Sequence, residues 1–132
     1  DFLVDQGVDL VIGGHPHVIQ PMEVRHNDEL GKDVLVVYSL GNFISNMKTR
    51  DTRGGAIVRV SLVKGKDGVA RFDRASYDLV FTVPPSSPGD NFRLVPAYDY
   101  EGGRWQAACR AFVKAAEDIF SRHNIKVGRT AR

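Results

Sequence analysis

Val8-Asp9-Leu10-Val11-Ile12-Gly13-Gly14-His15-Pro16-His17-Val18 is the stretch on which the reading of the whole chain turns. Residues 8–12 form a short, β-branched, nearly continuous apolar run closed by glycine at both ends, the pattern of a strand buried on both faces. Just upstream, Phe2, Leu3 and Val4 followed by Asp5, Gln6 and Gly7 predict the last turn of a helix, with Gly7 at its left-handed capping position. The chain therefore opens as helix, tight turn and inner strand. Its first residue, Asp1, is not a Met and no leader-like segment follows it, so we expect the chain to be part of a longer protein.

In open α/β architectures ligands sit beyond the carboxyl ends of such strands, and this strand runs straight into Gly13-Gly14-His15-Pro16-His17. Two glycines let the backbone turn sharply and come close to a ligand, and Pro16 favours extended angles at His15. In an extended stretch residues two apart face the same way, which would bring both imidazoles to one place. Imidazole nitrogen is the commonest neutral metal ligand, yet two imidazoles do not close a site. From the residues alone, metal or substrate chemistry and a purely structural role, with the histidines tied to backbone carbonyls, stand about level.

Working outward, residues 22–25 and 34–40 predict an antiparallel pair of strands joined by a polar turn containing Asn27, Asp28 and Gly31. Residues 55–63 (GAIVRVSLV) alternate, with Ala56, Val58, Val60 and Leu62 on the apolar face, which predicts a sheet with one wet side. Residues 64–68 (KGKDG) carry a hairpin turn, and residues 69–83 continue as one long or two bent strands. Residues 84–90 (PPSSPGD) are too rich in Pro to pair in a sheet and predict a surface connection. A short extended stretch, residues 92–98, follows. Trp105, Ala108, Cys109, Phe112, Val113, Ala116, Ile119 and Phe120 then recur at steps of three and four, an amphipathic helix whose stripe is core. Asn124 marks its stop, and residues 126–132 (KVGRTAR) are expected to be a frayed basic tail.

Composition narrows the function classes. The 132 residues suit one domain, and 42% hydrophobic content excludes global disorder. Against 18 Lys and Arg stand 16 Asp and Glu, a net charge of +2 with no run of five like charges, so nucleic acid is not an expected partner. No apolar run approaches the ~20 residues needed to cross a bilayer. The single Cys109 excludes an internal disulfide and a cysteine-built zinc site. Ser39 lies outside any Gly-x-Ser-x-Gly pattern, which argues against a serine nucleophile. His26 and His123 fall in a turn and at a helix end, where no functional role is expected.

Gly14-His15-Pro16-His17-Val18, then Gln20 and Glu23, then Tyr38-Ser39-Leu40-Gly41-Asn42-Phe43, resemble in order and separation the late motifs of the CapA-like poly-gamma-glutamate capsule biosynthesis family. That family resembles the calcineurin-like metallophosphatases. The resemblance is strong over residues 8–43, weak to residue 63 and absent beyond Pro84. It implies an α/β fold, the C-terminal part of a four-layer metallophosphatase-like sandwich, with mostly antiparallel strands plus a C-terminal helix. Residues 1–83 would carry both motifs, and residues 84–132 would pack on the same domain.

The resemblance also implies that His15 and His17 are metal ligands, with Gly13, Gly14 and Pro16 forming their loop. Ser39 and Asn42 would be adjacent to the site, and Gln20 and Glu23 would orient the histidines through hydrogen bonds. The cofactor implied is a divalent metal, two ions of Mn, Zn or Fe in the full-length parent. The parent would be a metal-dependent phosphoesterase or related hydrolase, or alternatively a non-catalytic assembly or export subunit that keeps the fold alone.

The earlier Asp, Asn and His motifs of the family are absent here, so the isolated chain is expected to be inactive. Implied partners are the missing N-terminal half, whose absence would leave an open sheet edge and an exposed apolar face, together with capsule-synthesis membrane subunits, an anionic polymer and a second copy in a homodimer. Residues 48–54 are the expected polymer contact. The implied location is the extracytoplasmic cell envelope of a bacterium.

Overall fold

A computed structural model describes residues 2–131; Asp1 and the last residue of the basic tail, Arg132, lie outside the described residues. The fold is α/β, with two sheets, mostly antiparallel strands and one long C-terminal helix, consistent with part of a sandwich. The opening turn of helix α1 (Phe2–Asp5) ends at Gly7, whose φ of 82° is the left-handed value glycine tolerates. Strands β1 (Leu10–Ile12), β2 (Met22–Asn27) and β3 (Lys32–Val37) form the first sheet in the order β1-β3-β2. The β1–β3 pair is parallel and the β2–β3 pair antiparallel, with Gly31 (φ 57°) in the connecting turn.

The strand buried on both faces is β3, not β1. Val34 and Val36 pack under Val4 of α1, while Leu35 and Val37 point into the main core. Strand β1 sits at the sheet edge with Ile12 half exposed, so its apolar run reflects an edge that no strand covers among the described residues. Beside it a groove of about 320 Å³ is lined by Phe2, Leu3, Val11, Val36 and Tyr38. An open edge and an exposed apolar face are thus both present.

The second sheet is built from β4 (Gly54–Lys64), β5 (Ala70–Val83) and β6 (Arg93–Pro96), joined in antiparallel fashion. A register shift at Ser61/Leu62 breaks the alternation of β4, which is why Leu62, assigned by periodicity to the apolar face, is exposed. Helix α2 (Gln106–His123) lays Cys109, Phe112, Ala116 and Phe120 on β5 and on a 3-10 turn, Arg50–Thr52. Gly54 makes this close approach possible, because a Cβ there would stand 2.6 Å from the Phe112 ring. One core cluster runs from Ile19 and Met22 through Phe81 to Phe112 and Val127, crossing the Pro-rich connection.

The basic tail is tied down as far as Thr130. Asn124 caps α2, its side-chain oxygen accepts from the Met22 backbone N–H at 2.8 Å, and the Ile125 backbone bonds to Met22 and Val24 along the outer edge of β2. Val127 is buried, and β7 (Gly128–Arg129) pairs in parallel with β5. Arg129 lies 3.6 Å over the Tyr98 ring, and the hydroxyls of Tyr98 and Tyr77 both donate to Glu117 of α2. A short basic segment that bends at Lys126 (φ 57°) therefore stitches both sheets together, where its charge alone suggested fraying.

Candidate metal-ligand loop

Two adjacent parallel strands, β1 and β3, end side by side, and each runs into one of the two motifs. Residues 13–20 are fastened to residues 37–40 by backbone hydrogen bonds: Gly13 N–H to Val37 O at 2.7 Å, Gln20 N–H to Ser39 O at 3.1 Å and Leu40 N–H to Gly13 O at 3.3 Å. The two motifs are thus one structural unit. Its glycines differ in kind. A Cβ on Gly13 would stand 2.2 Å from the Tyr38 carbonyl oxygen, whereas one on Gly14 would meet nothing within 4 Å. Gly13 is required by the packing of β1 on β3, while Gly14 leaves the approach to the loop open.

The histidine loop is bent rather than extended. His15 has φ 85° and His17 φ 61°, both left-handed values for residues with a Cβ. The expectation that Pro16 holds His15 in extended angles is therefore corrected, and with it the argument that strand alternation aims both rings the same way. The fold overrides the local proline preference because the loop must turn between β1 and the bridge at Ile19 and Leu40. Non-glycine residues held at positive φ cost on the order of 1–3 kcal/mol each and concentrate at functional sites. His15, Pro16 and His17 are all exposed.

Asn42 is the key to His17. Its Nδ2 donates to the Thr52 carbonyl oxygen at 2.8 Å, which leaves Oδ1 to accept from Nδ1 of His17, also at 2.8 Å. A second, longer contact runs from Nδ2 to the Met47 sulfur at 3.4 Å. The proton of His17 is thereby placed on Nδ1, and the lone pair of Nε2 points away from the asparagine. A hydrogen bond on one ring nitrogen that fixes the tautomer of the other is the usual support of a metal-bound imidazole. Asn42 is itself buried and held from below by the close approach of residues 41–42 to Gly54 and Gly55.

The remaining site residues separate. Ser39 is fully buried and its Oγ accepts from the Gly41 N–H at 3.2 Å, a turn-forming role. Glu23 does not orient a histidine: its carboxylate accepts from the Tyr38 hydroxyl at 2.6 Å and pairs with Arg25 at 3.0 Å. That carboxylate, by hydrogen bonding and charge, raises the Tyr38 hydroxyl above its ordinary pKa. Gln20 contributes through its backbone. Residues 48–54, expected from the sequence as a polymer contact, include Thr52, whose carbonyl sets Asn42; the Thr49–Thr52 hydroxyl contact at 2.8 Å closes that turn. No spacing rule links Asn42 to Thr52, so this support was not legible beforehand.

Among the described residues no group of three or more His, Cys, Asp or Glu side chains stands ready to hold an ion. Two imidazoles alone do not close a metal site. No helix among the described residues is long and apolar enough to cross a membrane.

Residues 1–47 match the family model described as "Bacterial capsule synthesis protein PGA_cap". The PGA biosynthesis protein CapA of Bacillus subtilis (strain 168) is 33% identical over 89 residues, 67% of this chain and 21% of that protein. The capsule biosynthesis protein CapA of Bacillus anthracis is 37% identical over 60 residues, 46% of this chain and 13% of that protein. The aligned part of this chain thus spans about a fifth or less of the length of these relatives. No solved structure matches the chain. The two motifs joined through Asn42 lie within the matched residues, and by them the chain is a partial match to the CapA-like capsule biosynthesis family.

Proposed function

We propose that this chain carries part of a metal site used by a capsule-biosynthesis protein for phosphoesterase-like or related hydrolytic chemistry, with His15 and His17 as ligands. The observation that carries the reading is the hydrogen bond from His17 Nδ1 to Asn42, which presents Nε2 as a free donor atom. A divalent cation held there, Mn, Zn or Fe, supplies Lewis acidity toward a phosphoryl or acyl oxygen. The chain's own residues do the positioning. Gly13 seats the loop on β3, Asn42 fixes the tautomer, and the Thr52 carbonyl fixes Asn42.

Two imidazoles alone hold a cation weakly, so the remaining ligands belong to the rest of the parent, and the isolated chain is inactive. The open edge of β1 and the adjoining apolar groove are where that remainder docks. In its absence a second copy can cover the same face. By kinship with capsule-synthesis proteins, the parent works at the extracytoplasmic face of the bacterial envelope, alongside membrane subunits and an anionic polymer.

The test is metal content and bis-nitrophenyl phosphate turnover of the full-length parent, compared with its His15→Ala and His17→Ala variants in added Mn or Zn. Metal binding and turnover that both fall in both variants support the reading. A parent that binds no metal makes the histidines loop fasteners and leaves an assembly or export subunit that keeps the fold without the chemistry.

A further inference from the structure

The two buried side-chain donors without a hydrogen-bond partner among the described residues are Arg53 Nη1 and Trp105 Nε1, and they stand together. The Arg53 guanidinium lies 4.5 Å from the centre of the Trp105 ring, and the Arg104 guanidinium 5.1 Å from the same ring. A buried donor left unsatisfied is costly, so two at one spot mark the place of a missing acceptor. Nothing in the loop-histidine site uses either group.

Two cavities meet at this point. One, of about 150 Å³, has Lys48, Arg53 and Trp105 in its wall; the other, of about 510 Å³, has Arg93, Arg104 and Trp105 in its wall. Pro84 and Phe92 line both and make their shared boundary apolar. Against these four cations stands one carboxylate, Asp90, whose Oδ2 is already engaged by the Ser86 hydroxyl and by the backbone N–H groups of Ser86 and Ser87. The cleft therefore offers donors and positive charge around an apolar throat. Guanidinium and indole N–H groups converge on the oxygens of carboxylate or phosphate, and the apolar walls suit a short aliphatic stem.

We propose that the cleft between the Pro84–Phe92 connection and the start of α2 is an oxyanion-binding site, taking a carboxylate or phosphate group whose oxygens accept from Arg53 Nη1 and Trp105 Nε1. The site is independent of the metal reading. It is nonetheless linked to His17, because Arg53 follows Thr52, whose carbonyl holds the Asn42 side chain that bonds His17.

Trp105 is the sole tryptophan of the chain, so its indole N–H gives a single reporter signal at the site. The experiment follows that resonance by proton–nitrogen correlation NMR while glutarate, inorganic phosphate or the neutral glutaramide is added to the 132-residue chain at constant ionic strength. The expected result is a saturable downfield shift with at least one of the two anions and none with glutaramide. Loss of one charge-assisted bond should weaken the binding about tenfold in Arg53→Gln, and Arg104→Gln, which removes a neighbouring positive charge on an exposed side chain, should weaken it by less.

Preference for glutarate assigns the site to a carboxylate-bearing chain, and preference for phosphate assigns it to a phosphoryl group. A resonance unmoved by either anion up to about 10 mM overturns the proposal. So does binding by Arg53→Gln that is as tight as that of the wild type. A free-state spectrum unchanged away from Trp105 and the substituted residue shows that each variant is folded.

Discussion

Asn42→Ala isolates the part of the site that the fold itself supplies. The substitution removes two hydrogen bonds of 2.8 Å, to His17 and to the Thr52 carbonyl, from a buried residue. Each is worth about 1 kcal/mol net, and the stranded buried carbonyl adds roughly 1–2 kcal/mol, for a total of about 3–4 kcal/mol. At about 3–4 °C per kcal/mol for a chain of this length, the melting temperature should fall by roughly 9–16 °C. His17→Ala removes an exposed ring and leaves the Thr52 contact in place, so its cost should stay near 1 kcal/mol, a fall of about 3–4 °C. Thermal unfolding followed by circular dichroism compares the two. Asn42→Asp separates the contributions further, since it keeps an acceptor for His17 and removes the donor to Thr52. A His17→Ala cost equal to that of Asn42→Ala, or an Asn42→Ala cost below about 0.5 kcal/mol, would refute the view that Asn42 is a structural post from which His17 hangs.

Gly13→Ala should destabilise by about 1–3 kcal/mol or more, because its Cβ would sit 2.2 Å from the Tyr38 carbonyl; Gly14→Ala should stay within about 1 kcal/mol, and denaturant midpoints distinguish them. Gly54→Ala drives a Cβ against the Phe112 ring and the Val80 carbonyl, so it should loosen α2 and raise amide exchange along that helix. Burial and the Glu117 charge push the Tyr77 hydroxyl up to about 12, and burial with its bond to Glu117 raises Tyr98 as well. Because unfolded tyrosine titrates near 10, the stability these neutral phenols contribute is intact below about pH 10 and is lost as the pH rises toward 12, which alkaline unfolding curves of Tyr77→Phe and wild type should reveal.

The sequence located most elements because their signals were local. The apolar steps of three and four from Cys109 to Phe120 needed only a sheet to lie on, and Gly7, Gly31 and Gly68 carry the positive φ their turns demand. The errors came where tertiary context decided. The run Leu10-Val11-Ile12 has the composition of an inner strand, but the element that lies between two neighbours is β3, and no local pattern distinguishes a strand with a partner from one that lacks it. His15 was expected to be extended from the proline rule, yet chain closure onto Leu40 placed it at positive φ.

The candidate site was half legible. The paired histidines and Asn42 were visible as residue types, and the bond of Asn42 to His17 was not, because it depends on the Thr52 carbonyl of a turn ten residues on. Glu23 lies on β2, and Tyr38 and Arg25 engage its carboxylate instead of a histidine. The pairing of Arg53 with Trp105 spans the Pro-rich connection and left no trace in sequence spacing.

The central claim is that His15 and His17 are ligands and that Asn42 sets His17 for the task. The most direct measurement is the bound-metal content of the purified full-length parent, by elemental analysis, beside its His15→Ala, His17→Ala and Asn42→Ala variants. The account predicts stoichiometric metal in the wild type, a large loss in both histidine variants and an intermediate loss of about 10- to 100-fold in affinity for Asn42→Ala. A wild type without metal, or metal retained in full when both histidines are replaced, would contradict it.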